Sequence, residues 1–226
     1  MEAEPFYDEF APKEWERLER HRTEFAVSLR AINEFLPRPP RSILDVGGGP
    51  GRYAIELARQ GYSVTLLDIS RESLRLACQR VNEAQVLLAD VIHVNAVDLS
   101  KLGSASYDAV LLMGPLYHLL SHGERVQAIQ EAMRVLKPRG NLFAAFITRF
   151  APFRCVANGE PAWLAENPEY ALQLLETGIH DRPTQFARAY YVHPDEVAPL
   201  MEGCGLRTLS LVGCEGVVAG HEDKVN

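Results

Sequence analysis

The chain has 226 residues, a formal net charge of −7, 47% hydrophobic, 23% charged and 8% aromatic residues. A chain of this length buries about 70% of its unfolded surface and needs no staple. The composition is too apolar for a disordered chain and its charge too mixed for a solvating tail, no apolar run reaches the roughly 18 residues of a membrane helix, and the acidic balance argues against a nucleic-acid partner held by its phosphates.

An acidic N-terminus with no apolar signal core predicts a cytoplasmic protein. Residues 7–36 carry Trp15, Leu18, Phe25, Leu29 and Ile32 at helical spacing. Arg17, Arg20 and Arg22 alternate with Glu14, Glu16, Glu19 and Glu24, the pattern of a salt-bridged, solvated helix face. The proline run at 37–40 ends this helix. Strands at Arg41–Val46, Ser63–Leu67, Val91–Asn95, Ala109–Met113 and Asn141–Thr148 then alternate with helices at Arg52–Gln60, Glu72–Asn82 and Glu124–Leu136. That alternation is α/β: a doubly wound, mostly parallel sheet covered on both faces. Beyond 150 the chain predicts a helix over Pro161–Thr177, an extended run over Phe186–Val192, a helix over Pro194–Glu202 and a strand over Leu206–Val212. Cys78, Cys155, Cys204 and Cys214 form no Cys-x-x-Cys pair, so they are expected to be reduced, partly buried thiols, with no metal site.

The strongest chemical signal is Asp45-Val46-Gly47-Gly48-Gly49-Pro50-Gly51 between a buried strand and an amphipathic helix. Glycines let the backbone approach a ligand and take positive φ, and in doubly wound sheets this loop lies at the ligand crevice. Asp68, ending the second strand, stands where a carboxylate takes ribose hydroxyls, a device that nicotinamide dinucleotides also use. A fingerprint register beginning at Gly49 ends in Ala54, so the glycines alone leave a dinucleotide open. Asp45 discriminates better, because a carboxylate repels a pyrophosphate and attracts an ammonium or sulfonium. No Gly-Lys-Ser/Thr follows, which excludes a P-loop.

DVGGGPG, LLDIS, NAVDLS, YDAVLLMGPLYHLL and RVLKPRGNL, in that order over residues 41–149, resemble the successive motifs of class I S-adenosylmethionine-dependent methyltransferases, in particular small bacterial enzymes acting on small molecules. The resemblance implies the Rossmann-like methyltransferase fold, with an N-terminal helical cap over 1–40, a cofactor-binding core over 41–149, and a substrate-side insertion and C-terminal sheet element over 150–226. Family sheets close with an antiparallel hairpin. Only Leu206–Val212 is left to supply it, so either the sheet is incomplete or the chain is truncated, and truncation is the expectation.

For the cofactor S-adenosyl-L-methionine, the resemblance implies Asp45, Gly47, Gly48, Gly49 and Gly51 around the methionyl part, Asp68 on the ribose, and Ile69 against the adenine. Asn95 or Asp98 accepts from the adenine amino group beside Ala96; Met113 lies near the methyl group, and Tyr7 folds over the cofactor with Phe10 and Trp15. His118 is the candidate base, and Tyr117 the second catalytic candidate, shaping the pocket or polarising the acceptor. Asp108 and Lys137–Gly140 are expected to be structural, and His122 a solvent-facing cap. Trp163, Tyr190, Tyr191 and His193 are candidates for the acceptor side, and Arg149 and Arg154 for an acidic substrate group. The expected activity is methyl transfer to nitrogen or oxygen of a small-molecule acceptor, with no nucleic-acid or membrane partner and no oligomeric state set. An NAD(P)-linked oxidoreductase and a non-catalytic methyltransferase-like binding protein are the rivals.

Overall fold

The computed structural model describes residues 3–159, 162–182 and 186–215. Helices α1 (Ala3–Arg20) and α2 (Arg22–Phe35) precede β1 (Ser42–Val46), α3 (Arg52–Arg59), β2 (Ser63–Asp68), α4 (Arg71–Glu83), β3 (Asp90–His93) and β4 (Tyr107–Leu112). A short 3₁₀ turn, Pro115–Tyr117, leads into α5 (His122–Val135) and β5 (Leu136–Ala144). Then come α6 (Ala151–Gly159), α7 (Ala162–Glu166), α8 (Pro168–Thr177), the short pair β6 (Ile179–His180) and β7 (Ala189–Tyr190), and α9 (Pro194–Gly203).

The sheet has the order β3-β2-β1-β4-β5, and every pairing in it is parallel. Both faces are covered, so its strands are apolar throughout. Ile43, Leu66, Ala109 and Leu111 face α2, α3 and α4 through Ile32, Ala54, Leu57, Leu74 and Ala77. Leu44, Val46, Leu67, Val110 and Leu112 face α5 through Ala128, Ile129, Ala132 and Val135. The chain order reverses at β1, whose neighbours are β2 and β4. The loops leaving β1 and β4 therefore frame the crevice in which such sheets hold ligands.

Several boundaries differ from expectation. The single N-terminal helix is two, broken at His21, which caps α2 in a non-helical conformation. The expected helix over Pro161–Thr177 divides at Asn167, the residue that Pro168 holds out of helical geometry; its first residue, Pro161, lies outside the described residues. Helix α6 has no counterpart in the sequence reading. Strand β5 begins at once after α5, because Lys137–Gly140 bulges between the pairs Tyr107–Leu136 and Ala109–Asn141, with Arg139 at φ 67°. It ends at Ala144, and Thr148 makes only an isolated bridge to Val192. Residues 206–212 form no strand: Leu206 packs under α9 while Leu209 and Leu211 are exposed. Among the described residues the sheet thus ends at β5, without a C-terminal hairpin.

Candidate active site

A cavity of about 780 Å³ opens over the C-terminal ends of β1, β2 and β4, with α1 across it. Its floor is the glycine loop. Gly47 has φ +68°, and a Cβ there would stand 2.6 Å from the Pro115 ring; a Cβ on Gly114 would stand 2.7 Å from the Gly47 carbonyl oxygen. The two crevice loops therefore touch through backbone. At Gly49 (φ +54°) a Cβ meets nothing within 4 Å, which leaves an open cradle facing the cavity. Gly51, at φ 80°, caps α3 and stands outside the cavity wall.

Two carboxylates support this loop. Asp68 Oδ2 accepts from the Gly49 amide at 2.7 Å and Oδ1 from the Ser70 amide at 2.8 Å. Burial nonetheless raises it to about 6 against those bonds. Asp45 is fully buried between Leu66 and Leu111, and neither of its oxygens has a hydrogen-bond partner. Burial, and then the nearby Asp68, push it up to about 7, against a weaker pull from the Ala54 amide, which falls short of hydrogen-bond geometry. Asp45 lies directly beneath Gly48, where a Cβ would stand 2.5 Å from Oδ2, so it sits one layer below the cavity surface. Ile69, Asn95, Ala96 and Met113 line the adjoining wall, and the Ile69 carbonyl accepts from His93 at 2.7 Å. Asp98 stands apart from that wall: it is exposed and accepts from the Ser100 amide.

At the other end stand Tyr7, Tyr117 and His118. His118 Nδ1 lies 3.1 Å from the Arg188 carbonyl oxygen, which can only accept. Nδ1 therefore carries the proton, and Nε2, 2.8 Å from the Tyr7 hydroxyl, accepts from it. Burial lowers His118 to about 4, against the help of that carbonyl, so the ring is neutral at physiological pH. Tyr7, Tyr117 and Phe186 stand around this imidazole with ring centroids 5.2, 4.6 and 5.4 Å away.

Helix α1 contributes more than its aromatic residues. Arg17 pairs with Glu14 and Glu24 at 2.6 Å each, the ion pairing that the sequence pattern predicted, but Arg17 and Glu14 line the cavity where that pattern predicted a solvated face. Trp15 lies between the guanidiniums of Arg52 and Arg80, at 4.7 and 4.8 Å. Phe10 instead packs on Phe6 beneath Lys13.

Other expected substrate contacts are committed elsewhere. Arg149 is buried, donating to the Leu175 and Glu176 carbonyls that end α8 and to Glu196, and Arg154 pairs with Glu215. Tyr190 lies against Arg125 and donates to Glu196, Tyr191 is buried, His193 caps α9, and Trp163 packs on Tyr170. Asp108 accepts from Ser42 and Lys137, and His122 is exposed. Cys78 is exposed, Cys204 and Cys214 are half-buried, all three are free, and the Cys155 side chain lies outside the described ones. The one metal-like group among the described residues, His21, Glu24 and Glu215, has Arg17 and Arg154 on its carboxylates.

An S-adenosylmethionine group fits the glycine end on three structural grounds: the side-chain-free cradle at Gly49, the Asp68 carboxylate on its rim, and the orphaned, buried carboxylate of Asp45 below, which a cationic ligand would compensate. Comparison with known proteins agrees. A methyltransferase-domain profile matches residues 43–140. The chain is 30% identical to the ubiquinone biosynthesis O-methyltransferase of Ralstonia nicotianae over 81% of its own length and 70% of that protein. The Paracidovorax citrulli protein of the same name is also 30% identical, over 81% and 71%. A solved S-adenosylmethionine-dependent methyltransferase from Methanosarcina mazei is 25% identical, with a TM-score of 0.60 over 77% of this chain and 82% of that one. The chain belongs to the class I S-adenosylmethionine-dependent methyltransferases. It is an enzyme that uses S-adenosylmethionine to methylate nitrogen or oxygen of a small molecule, which sets the oxidoreductase and non-catalytic readings aside. No helix among the described residues is long and apolar enough to cross a membrane.

Proposed function

We propose that this methyltransferase acts on oxygen, at a hydroxyl of an aromatic small molecule, with His118 as the base. The observation that carries this reading is a neutral imidazole of defined tautomer, with its unprotonated Nε2 toward the aromatic-walled end of the cavity. A phenolic acceptor must lose a proton as it becomes a nucleophile, whereas a neutral amine loses its proton only after attack; a built-in base suits the former. The names of the similar ubiquinone biosynthesis O-methyltransferases point the same way.

In this reading residues 41–149 are the cofactor core, 1–40 the cap and 150–226 the acceptor-side element. Gly47, Gly48 and Gly49 shape the methionyl seat, Asp45 balances its ammonium from below, and Asp68 accepts from the ribose. Ile69, Asn95, Ala96 and Met113 enclose the adenine and the sulfur, and Tyr7 closes over them. When bound, the cofactor supplies an activated methyl group. The chain aligns the acceptor with it, excludes water under α1, and takes the acceptor proton at His118 Nε2. Tyr117 packs beside that imidazole and shapes the acceptor end. Free cysteines fit a cytoplasmic enzyme.

The test is product analysis. Incubation with S-adenosylmethionine and matched catechol and aniline acceptors is expected to give O-methylated catechol by mass spectrometry. Removing the base in His118→Ala should slow turnover about a hundredfold or more. Methylation of the anilines alone would overturn the assignment to oxygen.

A further inference from the structure

The bond that fixes His118 Nε2 also blocks it. A neutral imidazole has one unprotonated nitrogen, and here its lone pair already accepts from Tyr7 at 2.8 Å. An acceptor hydroxyl can reach the base only by displacing Tyr7 or by acting through it. The surroundings of Tyr7 favour the second route. Its ring is held between Phe6, centroid 5.3 Å away, and His118. The next residue, Asp8, accepts from Ser70 Oγ at 2.7 Å and from the Glu72 amide at 3.2 Å, which ties α1 to the start of α4. Ser70 also donates its amide to Asp68, the acid on the cavity rim. A continuous path, Asp68–Ser70–Asp8–Tyr7–His118, thus joins the two ends of the cavity.

We propose that Tyr7 is the proton relay between the acceptor hydroxyl and His118, and that the Asp8–Ser70 contact is the latch that places it there. This rests on the reading of His118 as the base for an oxygen acceptor. While donating to Nε2, the Tyr7 oxygen keeps lone pairs that accept from the acceptor hydroxyl. In the step, the acceptor O–H bond breaks and its proton passes to the Tyr7 oxygen as the Tyr7 proton passes to Nε2. The ring becomes an imidazolium, with Nδ1–H still on the Arg188 carbonyl. The electron pair left on the acceptor oxygen forms the bond to the methyl carbon, and the carbon–sulfur pair goes to sulfur. Tyr7 ends as it began, a neutral phenol. Asp8 is a positioning residue, acting only through Tyr7.

The experiment uses full-length protein with ¹⁵N-labelled histidine, bound to S-adenosylhomocysteine, with catechol as the acceptor probe. The His118 nitrogens are assigned by their loss in His118→Ala. Tyr7→Phe is expected to move the bare Nε2 resonance several ppm downfield, the direction of a lost hydrogen bond. Asp8→Ala should give the same shift, and Asp8→Asn, whose amide oxygen can still accept from Ser70, should restore the wild-type position. Catechol added to Tyr7→Phe should leave Nε2 unbonded, because the relay holds the acceptor one hydroxyl away. In turnover, Tyr7→Phe should lower kcat about a hundredfold with KM nearly unchanged, and adding it to His118→Ala should slow that enzyme no further. An unmoved Nε2 in Tyr7→Phe, catechol restoring the bonded position, or faster turnover by Tyr7→Phe would each overturn the relay. Failure of catechol to bind the S-adenosylhomocysteine complex at all would instead overturn the phenolic reading beneath it.

Discussion

Gly47 and Gly49 are both left-handed, yet they resist a side chain for different reasons. A Cβ on Gly47 collides with the Pro115 ring at 2.6 Å, whereas one on Gly49 finds open space within the cavity. Gly47→Ala should therefore force the β1 and β4 loops apart, lowering both thermal stability and ligand affinity. Gly49→Ala pays only the left-handed backbone cost of about 1–2 kcal/mol; it should fold, yet bind S-adenosylhomocysteine at least tenfold more weakly by calorimetry. Asp68→Ala removes the acceptor of the Gly49 and Ser70 amides as well as the acceptor proposed above for the ribose. A loss of about 1.5–3 kcal/mol in affinity, roughly tenfold to a hundredfold, is expected in the same titration. The glycines and Asp68 were legible in the sequence because strand, loop and helix are contiguous, so local pattern fixes their place. Arg188 was not: its carbonyl meets His118 across 70 residues, and no spacing rule reaches that far. Arg17 and Glu14 were misread for a subtler reason. Charges at helical spacing describe a polar face equally well whether water or a cavity lies against it.

Helix α1 shows the same ambiguity at the scale of an element. Apolar periodicity predicted one helix through residue 36, and the break at His21 escaped it because both halves keep helical spacing. That break lets α1 turn onto α4 and over the cavity. The β5 bulge is similar: Lys137–Gly140 carries turn residues, but its neighbours still pair with β4, so a turn signal marked a bulge within a strand. The hold on α1 is testable through Trp15, which packs between Arg52 and Arg80. Each cation–π contact is worth about 0.5–1 kcal/mol at a partly exposed site. Trp15→Leu should therefore weaken S-adenosylhomocysteine binding by several-fold up to about tenfold while moving the melting temperature little, since the sheet core makes none of these contacts. In the wild type, tryptophan emission should change on ligand addition.

At the scale of the whole molecule, ligand binding is expected to be linked to protons, because the sheet places the Asp45 carboxylate in the buried core. Strand alternation puts Asp45 on the same face as Ile43, against α3 and α4, so its ionised form is disfavoured until a cation lies above it. Its value rises from 3.8 to about 7. The folded protein therefore binds a proton that the unfolded chain releases, and Asp45 lowers stability as pH rises from about 4 to about 7. His118, lowered from 6.5 to about 4, acts in the opposite direction over most of that range. The informative quantity is thus the difference between wild type and Asp45→Asn, not the slope of either. Ligand-free Asp45→Asn should gain melting temperature relative to wild type between pH 5 and pH 8. A ligand ammonium favours the ionised carboxylate, so wild-type affinity for S-adenosylhomocysteine should rise with pH up to about 7 and then level off. Binding at pH 6 should release protons, detectable as a calorimetric heat that varies with the ionisation enthalpy of the buffer. Asp45→Asn should bind more weakly at pH 8 and lose this proton release; equal release by the two proteins would move the linkage from Asp45 to Asp68, raised to about 6 on the cavity rim.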